Sequence, residues 1–220
     1  MKVIAINGSP RRNWNTASLL QESLRGAASI GAETKMIHLY GLKYNGCLSC
    51  FACKKLGGPS FGRCAIKDEL KPLLDEINDE AAAIIIGSPI YYGSITGNMQ
   101  SFLERLLFQY NDYSPEMRSL LHRKIPVGAI YTMGAPREHM EKSGYAYNWE
   151  RLKTAFEQYF GPYQQILSTD TLQFADYSQY ASSVFDVKHK HNVHDIQFPK
   201  DKVKAFDLGR SLAESVRPMK

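Results

Sequence analysis

Ile4-Ala5-Ile6-Asn7-Gly8-Ser9-Pro10-Arg11-Arg12-Asn13-Trp14-Asn15-Thr16-Ala17 carries a short apolar strand into a polar turn and on to the start of a helix. The apolar run stops at Asn-Gly-Ser-Pro, and helical periodicity begins at Thr16. A strand end that meets a helix N-terminus in this way makes a site for a phosphate monoester, because the loop's N–H groups lack intrahelical partners and the helix dipole adds positive potential. Ser9, Asn15 and Thr16 offer hydroxyl or amide donors, and Arg11 offers the formal charge. A dinucleotide turn would require G-x-G-x-x-G for close approach of a pyrophosphate, and only Gly8 is present. A single terminal phosphate, held by side chains as well as backbone, suits the stretch better. Gly57–Arg63 imitates the glycine spacing of a nucleotide-triphosphate loop, but Arg63-Cys64 stands in place of Lys-Ser/Thr and no apolar strand precedes it.

Outward from this turn, apolar runs alternate with helical patterns as in an open parallel sheet. Val3–Ile6, Thr34–Leu39, Ala82–Ile86, Pro126–Tyr131 and Tyr163–Thr169 read as strands. Thr16–Ile30, Lys67–Asp79, Asn98–Gln109, Tyr147–Phe160 and Lys200–Val216 read as helices. Ala82–Ile86 is apolar throughout, which suits a central strand buried on both faces. The expected fold is α/β: a flavodoxin-like, doubly wound, five-stranded parallel sheet of order 2-1-3-4-5 with helices on both faces. Ligands of such sheets lie beyond the carboxyl ends of the strands, at the switch point between strands 1 and 3. The 220 residues are expected to form a single domain (1–220), with a cysteine-rich loop at 46–66 and a C-terminal aromatic wrap plus helix at 170–220.

Composition narrows the function. Apolar content of 44% and charged content of 22% fit an ordinary globule. The longest apolar run, Ala81–Ile86, is far too short to span a bilayer. No secretory-signal pattern is visible, because Met1-Lys2 leads straight into a strand, so the expected location is cytoplasmic. A net charge of +5 favours anionic small molecules, but it is too small and scattered for a nucleic-acid partner.

Two further turns reach the same sheet edge. Gly87-Ser88-Pro89-Ile90-Tyr91-Tyr92-Gly93-Ser94-Ile95-Thr96-Gly97-Asn98 joins flexible backbone to two adjacent aromatics, as the face and edge of a flat isoalloxazine require; it also reads as a plain connection with Thr96 or Asn98 capping a helix. Thr132-Met133-Gly134-Ala135-Pro136-Arg137 follows strand 4, with Gly134 permitting close backbone approach.

On G-S-P-R-R-N-W-N-T-A at 8–17, C-L-S-C-F-A-C at 47–53 and G-S-P-I-Y-Y-G-S-I-T-G at 87–97, the chain resembles the flavodoxin-like NADPH-dependent FMN reductases, near their iron–sulfur flavoprotein subgroup. The resemblance covers roughly residues 1–160. It implies that Ser9, Arg11, Asn15, Thr16 and Ala17 bind the FMN phosphate. Pro89, Ile90, Tyr91, Tyr92, Gly93 and Ser94 would run along the ring, and Thr132, Met133 and Gly134 would complete the cradle. It also implies NAD(P)H as donor, a small-molecule or protein electron acceptor, and a homodimer or homotetramer assembled through Tyr110–Leu121. Trp14 departs from the glycine that many relatives carry there. No side chain is assigned as catalytic group, because flavin N5 accepts hydride directly.

Cys47, Cys50, Cys53 and Cys64 are spaced C-x2-C-x2-C-x10-C. Three thiols at intervals of three wrap a cubane corner, with a fourth ligand arriving from elsewhere. That resembles the 4Fe–4S motif of the iron–sulfur flavoproteins, although the last interval is longer than theirs. Lys54, Lys55 and Arg63 suit an electronegative cluster or an ordinary loop. Reduced thiols retained for packing or redox sensitivity are the other reading, and zinc, which prefers separated C-x2-C knuckles, the third. His189, His191 and His194 read as a solvated polar tail.

Overall fold

A computed structural model of the chain describes residues 1–217. In chain order the elements are β1 (Lys2–Asn7), α1 (Asn15–Ala28), β2 (Glu33–His38), α2 (Lys71–Asp79), β3 (Ala81–Tyr91), β4 (Ser94–Ile95), α3 (Gly97–Phe108), β5 (Val127–Thr132), α4 (Arg137–Lys142), α5 (Ala146–Tyr159), β6 (Tyr163–Ser168) and α6 (Val187–Ser215). The sheet runs β2-β1-β3-β5-β6, every neighbouring pair parallel. Without the two-residue β4, which folds back antiparallel on the end of β3, this is the expected order 2-1-3-4-5.

Strand alternation sorts the core into two layers. Val3 and Ala5 of β1, with Ala83 and Ile85 of β3, face α1 and α6, where Leu19, Leu20, Leu208 and Leu212 are buried. Ile4, Ile6, Ile84 and Ile86 face the other way, against Leu73 and Leu74 of α2, Phe102 and Leu106 of α3, and Trp149 and Phe156 of α5. Helices therefore cover both faces, and the carboxyl ends of β1, β3, β5 and β6 all emerge at one rim.

Several boundaries differ from the sequence reading, each for a physical reason. Helix α2 starts at Lys71 rather than Lys67, with Pro72 in its first turn, where a missing N–H costs nothing. Strand β3 continues through Gly87-Ser88-Pro89, which reads as a loop, because these residues pair with Ile130, Tyr131 and Thr132 of β5, and Ile90 and Tyr91 then pair with Ile95 and Ser94. The connecting turn places both Tyr92 (φ 49°) and Gly93 (φ 77°) in the left-handed region, as a tight hairpin demands. Helix α6 begins at Val187, well before Lys200, and runs through Pro199. That proline denies the Asp195 carbonyl its i+4 donor, but burial of Phe198, Asp201 and Ala205 on either side keeps the helix continuous. His189, His191 and His194 accordingly lie on a helix rather than in a tail. Residues 170–186 form an aromatic wrap in which the Phe174 and Tyr180 rings stack at 4.0 Å and Tyr177 packs edge-on to Phe185. No helix among the described residues is long and apolar enough to cross a membrane.

Candidate functional site

The first turn is built by its own side chains. Asn7 Oδ1 accepts from Ser9 N at 2.9 Å and Ser9 Oγ accepts from Arg11 N at 3.1 Å, two side-chain turns in succession that curl the backbone. Gly8 N donates to the Gly87 carbonyl at 2.7 Å, and Thr96 Oγ1 donates to the Gly8 carbonyl at 2.7 Å. The β1 and β3 turns are thus fixed to one another, and Thr96 also caps α3 by accepting from Met99 N. Helix α1 opens with Trp14 as an extended N-cap that makes no side-chain cap. The N–H groups of Asn15, Thr16 and Ala17 are left without helical acceptors, at the positive end of the dipole.

A cavity of about 120 Å³ lies at this rim. It is lined by Ser9, Arg11, Trp14, Asn15 and Thr16 from the first turn, Pro89, Ile90 and Tyr91 from the end of β3, and Thr132, Met133 and Gly134 after β5. The three turns singled out in the sequence therefore meet. Ala17 is fully buried and contributes no lining side chain. Tyr92 is fully exposed at the hairpin tip, and Gly93 lies under the Tyr145 ring, so Tyr92, Gly93 and Ser94 flank the cavity rather than line it.

A fourth segment completes the wall: Thr171, Leu172 and Gln173, after β6. Its carbonyls collect the donors of the first turn. Asn15 Nδ2 donates to Leu172 O at 2.9 Å, Trp14 Nε1 to the same oxygen at 3.1 Å, and the Arg11 guanidinium to Gln173 O at 2.6 Å. Thr16 Oγ1 and Thr132 Oγ1 share a hydrogen bond of 2.7 Å beside them. A guanidinium, an indole N–H and an amide thus reach two neighbouring carbonyl oxygens beside the bare N–H groups of a helix start, and this donor set fits the oxygens of a phosphate. Sequence reading missed this segment because nothing in its local pattern marks it. The available signal was topological, since every parallel strand delivers its C-terminal loop to the same rim. Burial raises the phenols of Tyr91 and, to about 12, of Tyr131, so both remain neutral at physiological pH.

The cysteines line none of this cavity, and burial divides them. Cys50 is exposed and Cys47 half-buried, while Cys53 and Cys64 are buried. Burial pushes the Cys53 thiol up. Cys64 Sγ accepts from Arg105 Nε at 3.4 Å, and its N–H donates to Gln109 Oε1 at 2.9 Å. Among the described residues no three His, Cys, Asp or Glu side chains are arranged to hold a metal. Lys54 instead donates to the carbonyls of Phe108 and Gln109 at the end of α3, and Arg63 forks onto Asp79. These charges hold the loop to its neighbours.

Comparison with known proteins agrees with this architecture. The profile of the NADPH-dependent FMN reductase family matches residues 1–143. An iron–sulfur flavoprotein of Methanocaldococcus jannaschii is 34% identical over 137 residues, spanning 62% of this chain and 64% of the relative. One from Archaeoglobus fulgidus is 37% identical over 105 residues, 48% of each chain. The chain thus spans between about half and two thirds of the length of these curated relatives. Among solved structures, an NAD(P)H:quinone oxidoreductase from Methanothermobacter marburgensis superposes with TM-score 0.72 at 14% identity, covering 96% of this chain and 98% of that one. An FMN-dependent NADH-azoreductase from Bacillus anthracis, in complex with FMN, gives 0.64 at 15% identity, covering 96% and 99%. At such identities the superpositions show a shared fold.

Proposed function

We propose, for a chain that belongs to the NADPH-dependent FMN reductase family, that it holds FMN at the described rim and passes electrons from NAD(P)H to a quinone, a flavin or another acceptor. The observation that carries this reading is that Arg11, Trp14 and Asn15 are gathered on two adjacent carbonyl oxygens beside the uncapped N-terminus of α1. Bound FMN supplies the hydride-accepting chemistry, so the protein's part is geometry and electrostatics. Arg11, Trp14 and Asn15 exchange the Leu172 and Gln173 carbonyls for phosphate oxygens, and Thr16 with Thr132 presents hydroxyls beside them. Pro89–Tyr91 forms an apolar and aromatic wall, and the buried Met133 excludes water from the other side.

Anaerobic titration with NADPH tests the reading. Protein purified with one equivalent of FMN should bleach on mixing. Bound flavin that bleaches only with reduced ferredoxin would mark an electron carrier instead, and protein that stays colourless after FMN reconstitution would end both readings. A narrower expectation concerns the phosphate. Arg11→Ala and Thr16→Ala should weaken FMN binding by about ten- to hundredfold, the loss of one charge-assisted hydrogen bond at about 1.5–3 kcal/mol, with the thermal transition little changed. Flavin-fluorescence quenching measures it, and unchanged affinity in both variants would place the phosphate elsewhere.

A further inference from the structure

Behind the cavity wall lies a pair of charges that the proposed chemistry does not use. Lys190, in the first turn of α6, is only 3% exposed. Its ammonium donates to the carbonyl of Gly134 and to one oxygen of Asp170, and it lies 5.2 Å from the centre of the Phe185 ring. The other Asp170 oxygen meets His189 Nε2 at 2.5 Å. A lysine this deeply buried is unfavourable unless paired and hydrogen-bonded, and Asp170 and Gly134 meet that requirement. Asp170 is itself unusual: it occupies the left-handed region at φ 59° without being glycine. Its neighbours are tied to the β5 turn, Asp170 N donating to Ala135 O at 2.9 Å and Thr171 N to Met133 O at 3.0 Å.

One buried ion pair therefore stands behind two of the four segments that line the cavity. It joins the 132–135 turn to the start of the 170–173 strand exit, and both to α6. The carbonyls of Leu172 and Gln173, on which the phosphate donors converge, follow within three residues of the Asp170 anchor. We infer that Lys190 and Asp170 are positioning residues for the phosphate end of the FMN site, an inference that rests on the FMN reading above. Neither residue lines the cavity beside the donors. They act by fixing the strap whose carbonyls keep Arg11, Trp14 and Asn15 gathered in the FMN-free protein, ready to exchange those carbonyls for phosphate oxygens, a supporting layer of the kind that keeps binding groups in register.

The test compares FMN with riboflavin, which lacks the phosphate. Lys190→Met should weaken FMN binding about tenfold or more while leaving riboflavin affinity unchanged, and the isosteric Asp170→Asn should move the same ratio in the same direction. General loosening of the domain would weaken both ligands alike and would overturn the inference. Unchanged FMN affinity would overturn it too, as would tighter FMN binding, which would make the strap an obstruction instead of a support. Hydrogen exchange on the unaltered protein reads the same coupling without substitution: added FMN should slow exchange across 170–173 and 187–191 together, and slowing confined to 170–173 contradicts the proposal. Should the unaltered protein distinguish neither ligand, the FMN reading itself fails, and separately from this one.

Discussion

Gly209→Ala is expected to destabilise the chain by about 3 kcal/mol or more, and Gly209→Val to prevent stable folding, as measured by chemical denaturation. A Cβ at Gly209 would stand 1.7 Å from the carbonyl oxygen of Ser23, and one at Gly26 would stand 1.9 Å from that of Phe206. Helices α1 and α6 therefore meet backbone to backbone, with no side chain between them that could rotate away. Overpacking a core usually costs about 1–3 kcal/mol where side chains can shift. Here two helices would have to part, although Leu19 and Leu20 on one and Leu208 and Leu212 on the other anchor both to the sheet. Helix propensity works the opposite way, since alanine in place of glycine gains about 1 kcal/mol in a helix interior. The sign of the measured change thus decides which effect wins, and a neutral or stabilised Gly209→Ala would refute the close approach. Because α1 carries Asn15 and Thr16 while α6 carries Lys190, any variant that folds should also bind FMN more weakly.

That helix contact marks a limit of sequence reading. Periodicity finds α1 and most of α6, but the pairing of Gly26 with Gly209 joins opposite ends of the chain and leaves no local trace. The strands were legible where apolar runs were unbroken, as at Ala82–Ile86. They were not at Gly87–Tyr91, where Gly87, Ser88 and Pro89 resemble a turn and the strand persists because β5 pairs with those three residues and β4 folds back on the next two. Pro199 hid the first turns of α6 in the same way, by a local rule that tertiary burial overrides. The candidate site was legible in its three strand–helix turns, whose donors and aromatics are crowded into short stretches. Leu172 and Gln173 act through backbone carbonyls, which any residue would supply, so their identities carry no message. Arg105 is the opposite case: a charged residue of α3 whose side chain is wholly buried, held by Asn45 and Asp68 from far away in the sequence.

Arg105→Met should therefore be among the most damaging single changes in this protein. The guanidinium donates to Asp68 Oδ2 at 2.5 Å, to the carbonyls of Asn45 and Ile66 at 3.3 Å each, and to Cys64 Sγ at 3.4 Å. It holds both ends of the cysteine-bearing segment against α3. Burial disfavours its charge, but the Asp68 hydrogen bond and the Cys64 contact together outweigh that and raise its pKa. Removing one partner of such a pair leaves a carboxylate and two carbonyls unmatched, a loss of about 3–5 kcal/mol for a buried pair. Asp68 retains 19% of its side-chain exposure, so water can reclaim part of its solvation and the lower end of that range is expected. Replacing both partners, in Arg105→Met with Asp68→Leu, should recover much of the loss, because two apolar side chains leave no carboxylate stranded. The same substitution should release Cys64, now buried beneath the guanidinium, and speed its reaction with a thiol reagent in the native protein. Equal stability of Arg105→Met and the unaltered chain, or Cys64 reactivity that does not change, would show that the segment from Asn45 to Asp68 is held by its apolar contacts alone.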